Sequence, residues 1–299
     1  MGSPNPAAQA AYPQPGMPGA PGGQQAPQAP QYAPVPPQQP HAQQVAGGGA
    51  GFGHMVQSEW TKIRTVRSTM WSLIIMAVLI VGMAMLLGAT LSHKPDKPDP
   101  SVSTSLIGVM IAQIAAATLG VLTISAEYTT GMIRSTLTAH PRRLSMLAAK
   151  ALVFGAVMFV VGLVTCYLAY LIGDSMLSRD VVRDSSSSDV LRGVLGSATY
   201  LALIGLFSLG VGTILRHSAG AITTVLGIML LPMIFGGFIP GKAGEWIIEY
   251  SPMMLLIKMI APIGDGEGSM GPWPGMVLMA CYAAGALAVG ASLLKSRDV

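Results

Sequence analysis

Two long apolar runs of this chain are joined by AEYTTGMIRSTLTAHPRR, residues 126–143. The segment places an acid, Glu127, directly after the first run, and paired arginines, Arg142 and Arg143, shortly before the second. It is the one well-charged, patterned segment between two long apolar runs, and we expect both runs to deliver their polar ends to one surface. We therefore look for the function of the protein at that surface.

The composition of the chain predicts an integral membrane protein. Of 299 residues, 51% are hydrophobic and only 10% are charged, and the mean hydropathy is +0.55, a balance that water-soluble domains rarely have. The net charge of +4 does not indicate nucleic acid binding, because the bases flank apolar runs instead of clustering with aromatic residues. Cys166 and Cys281 lie inside apolar runs and are assigned no redox role.

The first 54 residues differ from the rest of the chain. They hold 12 of the 22 prolines and contain no Asp, Glu, Lys or Arg. Such a segment cannot bury enough apolar surface to offset the entropy lost on ordering. We predict a disordered Pro/Gln/Gly-rich tail over residues 1–54 and an all-α membrane domain over residues 55–299.

An amphipathic helix is predicted where the membrane domain begins. Its apolar stripe has helical spacing and comprises Val56, Trp60, Ile63, Val66 and Met70. Off the stripe lie Glu59, Lys62, Arg64 and Arg67. We expect this helix to lie in the headgroup plane of the bilayer, with Trp60 at the interface and the three bases attracted to anionic lipid.

Six apolar runs follow, and each is long enough to cross a bilayer. About 20 helical residues span a hydrocarbon core of about 30 Å, and none of the runs contains Asp, Glu, Lys or Arg. The runs are Trp71–Leu91, Val102–Ile124, Ala151–Gly173, Gly193–Leu215, Ala219–Ile239 and Gly275–Leu294. The fold class predicted is therefore an all-α integral membrane protein with six transmembrane helices.

The orientation of these helices follows from the positions of the bases. Six spans divide the 17 Lys and Arg residues into 10 on the side of both termini and 7 on the other side. Since cytoplasmic loops carry the excess of bases, we expect a multi-pass protein of the cytoplasmic membrane with both termini in the cytoplasm.

One outward loop, Pro240–Pro274, is too apolar to be a free connector and too interrupted to span the membrane. Its first apolar stretch holds Trp246, Ile247 and Ile248. We predict that this loop forms short helices at the outer face of the bundle, where these side chains need apolar cover.

Several functional classes are disfavoured by the sequence. Gly236–Lys242 has the glycine and lysine spacing of a phosphate-binding loop, but Ala243 replaces the Ser or Thr that holds magnesium. The histidines are scattered without ligand spacing. Because the spans contain no ionisable residues, a secondary carrier is also disfavoured. We predict no enzymatic activity, no cofactor and no metal site in this chain.

The pattern of residues 126–143 allows two interpretations. A short helix from about Glu127 to His140, ended by Pro141, would place Tyr128, Met132 or Ile133, and Leu137 on an apolar docking edge beside solvated arginines. A plain loop that obeys the positive-inside rule explains the arginines equally well. The pattern alone leaves both interpretations open.

The same segment resembles the loop after the second span of ABC-2 type permeases. The residues that carry the resemblance are Glu127, Tyr128, Gly131, Arg134, Leu137, Pro141, Arg142 or Arg143, and Lys150. Residues 58–68, SEWTKIRTVRS, resemble the amphipathic segment of that family, and Met132 departs from the family by standing where Thr is frequent. The resemblance covers about residues 55–299.

The resemblance implies a six-helix permease subunit that forms a homodimer or heterodimer and is powered by a separate ATP-binding-cassette ATPase. On this hypothesis the ATPase docks on Glu127, Tyr128, Gly131, Ile133, Arg134, Leu137, Pro141, Arg142 and Arg143. The chain would export a substrate, with the lipid bilayer as its other partner. The alternative is a non-transporting membrane scaffold that recruits a cytosolic partner through the same loop.

Overall fold

The structure is a computed structural model that describes residues 51–91, 101–129, 143–177, 184–261 and 269–296. All regular structure in these ranges is helical. The α-helices are α1 (Phe52–Thr65), α2 (Arg67–Leu91), α3 (Ser101–Ser105), α4 (Val109–Thr129), α5 (Arg143–Met176), α6 (Ser187–Val190), α7 (Gly196–Leu215), α8 (Ser218–Phe235), α9 (Lys242–Glu249), α10 (Pro252–Ile260) and α11 (Pro272–Ser296). A short π-helix, Leu191–Leu195, joins α6 to α7, and a 3-10 helix, Gly236–Phe238, follows α8.

Within the described residues, six helical segments are long and apolar enough to cross a membrane, as the sequence predicts. They are Arg67–Leu91, Val109–Thr129, Leu144–Met176, Ser187–Leu215, Ser218–Phe238 and Pro272–Ser296. The largest difference from the predicted bounds is in α5, which begins at Arg143 and not at Ala151. The predicted tail, residues 1–54, lies outside the described residues except for residues 51–54. Of these, residues 52–54 belong to α1, which begins at Phe52.

Helix α7 is at the centre of the bundle and packs against α4, α5 and α11. In its most apolar stretch 72% of the residues are buried, against 22% for α8 and for α11. Glycines allow the close approach: a Cβ at Gly120 of α4 would overlap the carbonyl oxygen of Gly205, and one at Gly210 would lie 2.7 Å from the backbone of Ala286. This agrees with the packing role of small residues between membrane helices.

A fully buried polar contact joins α4 to α7 within the bundle. The hydroxyl of Tyr200 donates a hydrogen bond of 2.8 Å to the side-chain carbonyl of Gln113, and both residues are completely buried. The Gln113 amide in turn donates to the carbonyl of Met110 and contacts the sulfur of Met253 in α10. Each polar atom of this pair is thereby satisfied away from water.

The short helices predicted in the loop 240–274 are present as α9 and α10. Trp246, Ile247 and Ile248 lie in α9, where Ile248 lies beside Gly236. Trp246 is 62% exposed and Ile247 is 40% exposed, so protein covers only part of the apolar face that the sequence predicted to be covered. Within the described residues, no protein covers the rest of this face, which is therefore exposed at the surface of the bundle.

A charged cluster holds α9, α10 and the start of α11 together. The carboxylate of Glu249 accepts hydrogen bonds from the ammonium of Lys258, from Ser269 and, at 2.8 Å, from the backbone N–H of Met270. Lys258 is buried and also donates to the carbonyl of Met270 at 2.8 Å. Burial by itself would raise the pKa of Glu249, but these donors outweigh it and lower the pKa below its ordinary value of 4.5.

This lowered pKa predicts an acid-sensitive link between the short helices. Because the folded state holds Glu249 ionised, its contribution to stability is present above pH 4.5 and is lost as the pH falls through the lower folded value. We expect Glu249→Gln to lower the melting temperature by several degrees at pH 7 and to flatten the acid dependence, measured by thermal unfolding in detergent. Glu245→Gln on the exposed side of the same helix is the control; an unchanged acid profile in Glu249→Gln contradicts the assignment.

The arrangement of the spans also predicts which sites are accessible from outside the cell. In a background with Cys166→Ala and Cys281→Ala, Ser187→Cys at the start of the fourth span should react with an impermeant maleimide in intact cells. Ser296→Cys at the end of α11 should react only after permeabilisation, because an odd number of spans separates the two positions. The reverse pattern of labelling would overturn the orientation that the bases predict.

Candidate functional site

Four charged side chains from three helices meet at one end of the bundle. Helix α1 contributes Glu59 and Lys62, the last turns of α4 contribute Glu127, and α5 contributes Lys150. The ammonium of Lys150 lies 2.7 Å from Glu59 Oε2 and 2.9 Å from Glu127 Oε1. The ammonium of Lys62 lies 2.7 Å from Glu59 Oε1 and 3.0 Å from Glu127 Oε1. We call these four residues the charge cluster.

The charge cluster is largely withdrawn from solvent. The side chain of Lys150 is 2% exposed, and those of Glu59 and Glu127 are 6% and 8% exposed, whereas that of Lys62 is 33% exposed. Two acids and two bases alternate, so their charges cancel within hydrogen-bonding distance. Removing one member of such a buried set leaves an uncompensated charge, and the four residues therefore constrain the positions of all three helices.

Local helix geometry explains how α1 presents both of its charges to the cluster. Glu59 and Lys62 are three residues apart, so they lie on neighbouring positions of one helical face. Burial alone would lower the pKa of Lys62, but hydrogen bonds and the charges of Glu59 and Glu127 outweigh it and raise the pKa above its ordinary value of 10.5. Lys62 therefore stays charged at neutral pH.

A cleft of about 260 Å³ opens beside the charge cluster, between α1, the start of α2 and α4. Its polar wall comprises Glu59, Lys62, Glu127, Lys150, Ser68, Thr69, Ser72 and Thr123. Glu127 Oε2 is buried and has no hydrogen-bond partner among the residues that the structure describes. The cluster thus keeps unused polar capacity in a site that is otherwise fully paired.

A second contact fixes the neighbouring residue of α4. The guanidinium of Arg216, in the connection between α7 and α8, stacks over the ring of Tyr128 at 5.3 Å from its centroid. Arg216 has φ of 55°, a left-handed conformation that costs about 1 kcal/mol or more for a residue with a side chain. Consecutive residues of α4, Glu127 and Tyr128, are therefore held by different parts of the bundle.

The structure changes the interpretation of the amphipathic helix. Helix α1 is present, but its buried face is formed by Met55, Glu59 and Ile63, and not by the full apolar stripe that the sequence suggests. Trp60 is 47% exposed, as expected for an interfacial position. The ammonium of Lys62 binds two carboxylates, and its attraction to anionic lipid stays a prediction.

The two arginines that follow Lys62, Arg64 of α1 and Arg67 at the start of α2, differ from it. Arg64 and Arg67 are exposed, and neither has an ion pair or a side-chain hydrogen bond to any residue in the described ranges. Both guanidinium groups are exposed, and their contact with anionic lipid stays a prediction.

The predicted docking residues are only partly described. Glu127 and Tyr128 belong to α4, which continues to Thr129, and Arg143 begins α5. Gly131, Ile133, Arg134, Leu137, Pro141 and Arg142 lie outside the described residues. The docking role of Glu127 stays a prediction; within the chain, one oxygen of its buried carboxylate binds Lys62 and Lys150.

Sequence reasoning missed Glu59 as a member of the site and assigned Lys150 only through the family resemblance. A signal for Glu59 was present in its spacing, since it lies four residues from both Met55 and Ile63 on one helical face. The position of Lys150 at the start of an apolar run also placed it opposite Glu127 across the same connection. The opposite charges at these positions are the feature that could have linked them.

Comparisons with known proteins add no assignment. No protein-family model matches this chain, and no curated protein sequence matches it significantly. Within the described residues no group of three or more His, Cys, Asp or Glu residues could hold a metal ion. The geometry therefore carries the functional argument: the charge cluster is suited to joining helix ends mechanically.

The charge cluster makes a direct prediction about stability. Lys150→Met leaves Glu59 and Glu127 buried with only the partly exposed Lys62 between them, which should cost about 3–5 kcal/mol and lower the melting temperature in detergent. Lys295→Met, at an exposed base of α11, is the matched control and should have little effect.

The double variant Glu127→Leu with Lys150→Met tests whether charge balance is the cause. It removes one acid and one base together and leaves Glu59 paired with Lys62, so much of the lost stability should return. The assignment of the cluster fails if Lys150→Met is no less stable than the Lys295→Met control.

Proposed function

We propose that this chain is the membrane-spanning subunit of an ABC-2 type exporter, working in the cytoplasmic membrane with a separate ATP-binding-cassette ATPase. Six helices that can span a membrane and the resemblance of residues 58–68 and 126–150 to that family support the proposal. Both termini and the segment 130–142 would then lie in the cytoplasm, where ATP is available to the partner.

The observation that carries the proposal is the position of the charge cluster relative to the connection between α4 and α5. Glu127 precedes this connection and Lys150 follows it, and the two side chains are joined at 2.9 Å. Because Glu59 and Lys62 bind the same pair, α1 is fastened to both helix ends. A force applied to the connection would move α1, α4 and α5 together.

This arrangement suits the transmission of movement from a cytosolic motor to membrane helices. A connection with independent ends would absorb a displacement by bending, whereas two helix ends joined through buried ions transmit it to the spans. In this mechanism Arg134 and Leu137 contact the ATPase, and Glu127 acts within the chain as a positioning residue.

Dimerisation with a second permease subunit is part of the proposal. Helix α8 exposes large apolar side chains along one side, among them Ile228, Leu231 and Phe235. A face of this kind can contact lipid or another apolar helix surface within the bilayer. The same chemistry fits a second copy of this chain or a related subunit.

The docking hypothesis is tested by affinity purification of the tagged full-length chain from its native membranes after mild cross-linking. We expect an ATP-binding-cassette ATPase to co-purify with the wild-type protein. Leu137→Asp should reduce its recovery at least tenfold, because a carboxylate on an apolar docking edge is desolvated without a partner. Ser187→Asp adds the same charge at the other end of the bundle and should leave recovery unchanged.

Two results would contradict the proposal. Wild-type recovery of the ATPase with Leu137→Asp would show that residues 130–142 are not the docking segment. Reproducible recovery of a cytosolic partner that lacks ATPase activity, with no ATPase present, would favour the membrane scaffold over the transporter.

A further inference from the structure

Two apolar grooves lie side by side on the exposed side of α1, and Trp60 separates them. The first, of about 370 Å³, runs between α1 and α5. The second, of about 330 Å³, runs between α1, α2 and α5. Trp60, Val157 and Val161 line both grooves and form the ridge between them.

The grooves differ from the cleft beside the charge cluster in their chemistry. The side chains of the first are entirely apolar, and its wall on α5 extends from Leu152 to Val161. At 1.5 Å per residue this wall is about 14 Å long, a length that follows the direction of a span. The second groove has one charged residue, Arg64, among otherwise apolar side chains.

The polar groups beside the grooves are free to bind a ligand. Arg64 is exposed and, in the part of the chain that the structure describes, has no ion pair and no side-chain hydrogen bond. The indole N–H of Trp60 likewise has no acceptor among the described residues. Lys62, by contrast, is occupied by two carboxylates. Of the two arginines left unpaired in the described ranges, Arg64 lines the second groove, so this cation and the Trp60 N–H are the polar groups that the grooves offer to a ligand.

We propose that this surface is a binding site for one anionic phospholipid with two acyl chains. The chains occupy the two grooves on either side of Trp60, and the phosphate lies against the guanidinium of Arg64, whose planar donors suit phosphate oxygens. Two parallel apolar channels with one cation at the edge of one of them match the shape and charge of such a lipid. The inference does not depend on the proposed transport function, only on the membrane location of the bundle.

The site can be tested with a protein whose only tryptophan is Trp60. Trp71, Trp246 and Trp273 are replaced by Phe, and the full-length chain is reconstituted in phosphatidylcholine vesicles. Equal fractions of the lipid are then exchanged for phosphatidylglycerol or phosphatidylcholine with brominated chains, which quench tryptophan fluorescence on contact. We expect Trp60 to show about fivefold preference for the anionic lipid, the equivalent of about 1 kcal/mol for one base near a phosphate.

Variants separate a specific site from general contact with the bilayer. Arg64→Gln should abolish the preference for phosphatidylglycerol while quenching by brominated phosphatidylcholine persists. Lys295→Gln removes a base from α11 and should retain the preference. Ala156→Phe fills the first groove and should reduce quenching by the anionic lipid even though Arg64 is intact.

Equal quenching by the two brominated lipids in the protein that retains Arg64 overturns the proposal, since it means that Trp60 contacts only bulk lipid. A preference that survives Arg64→Gln also overturns it. Thermal unfolding of each variant checks that the bundle is intact. If Arg64→Gln fails this check, Arg64→Lys takes its place. The lysine keeps the charge but should weaken the preference for phosphatidylglycerol, because the planar donors are lost.

Discussion

The pairing of two acids with two bases at one end of the bundle constrains much of the rest of the structure. Charges buried in an apolar medium are tolerated only when each has a partner, and within the cluster only the Glu59–Lys62 pair lies on a single helix. Glu127 of α4 needs Lys150 of α5, and Glu59 of α1 needs the same lysine. Helix α1 is therefore held against the bundle by ion pairs as well as by Met55 and Ile63.

This constraint explains which parts of the fold the sequence could predict. The six spans follow from the length and apolarity of the runs, because a bilayer excludes unpaired charge from any segment that crosses it. The short helices α9 and α10 follow from apolar stretches too short to span. The cluster Glu249–Lys258 between them was not predicted, since pairing between distant loop residues has no periodic signal.

The orientation of α1 shows where sequence reasoning is limited. In a soluble protein the apolar stripe of a helix faces the core, but beside a bilayer an apolar side chain such as Trp60 is equally stable against lipid. The polar residues Glu59 and Lys62 can then face inward, because Glu127 and Lys150 lie within hydrogen-bonding distance on that side. Hydropathy distinguishes apolar from polar faces and does not distinguish lipid from protein interior.

Helix α1 therefore has two functional faces with opposite chemistry, and the second depends on the first. The inward face is fixed by ions whose charges cancel, and this leaves Arg64 as the cation next to the apolar grooves. Lys62 lies about half a helical turn from Arg64. If Glu59 and Glu127 did not bind Lys62, it would compete with Arg64 for the same anionic groups. On the proposed lipid site, the charge cluster confines the lipid-binding charge of α1 to its exposed side and binds the inner side to α4 and α5. A change in how α1 sits on lipid would be transmitted to the connection between those two helices through Lys150.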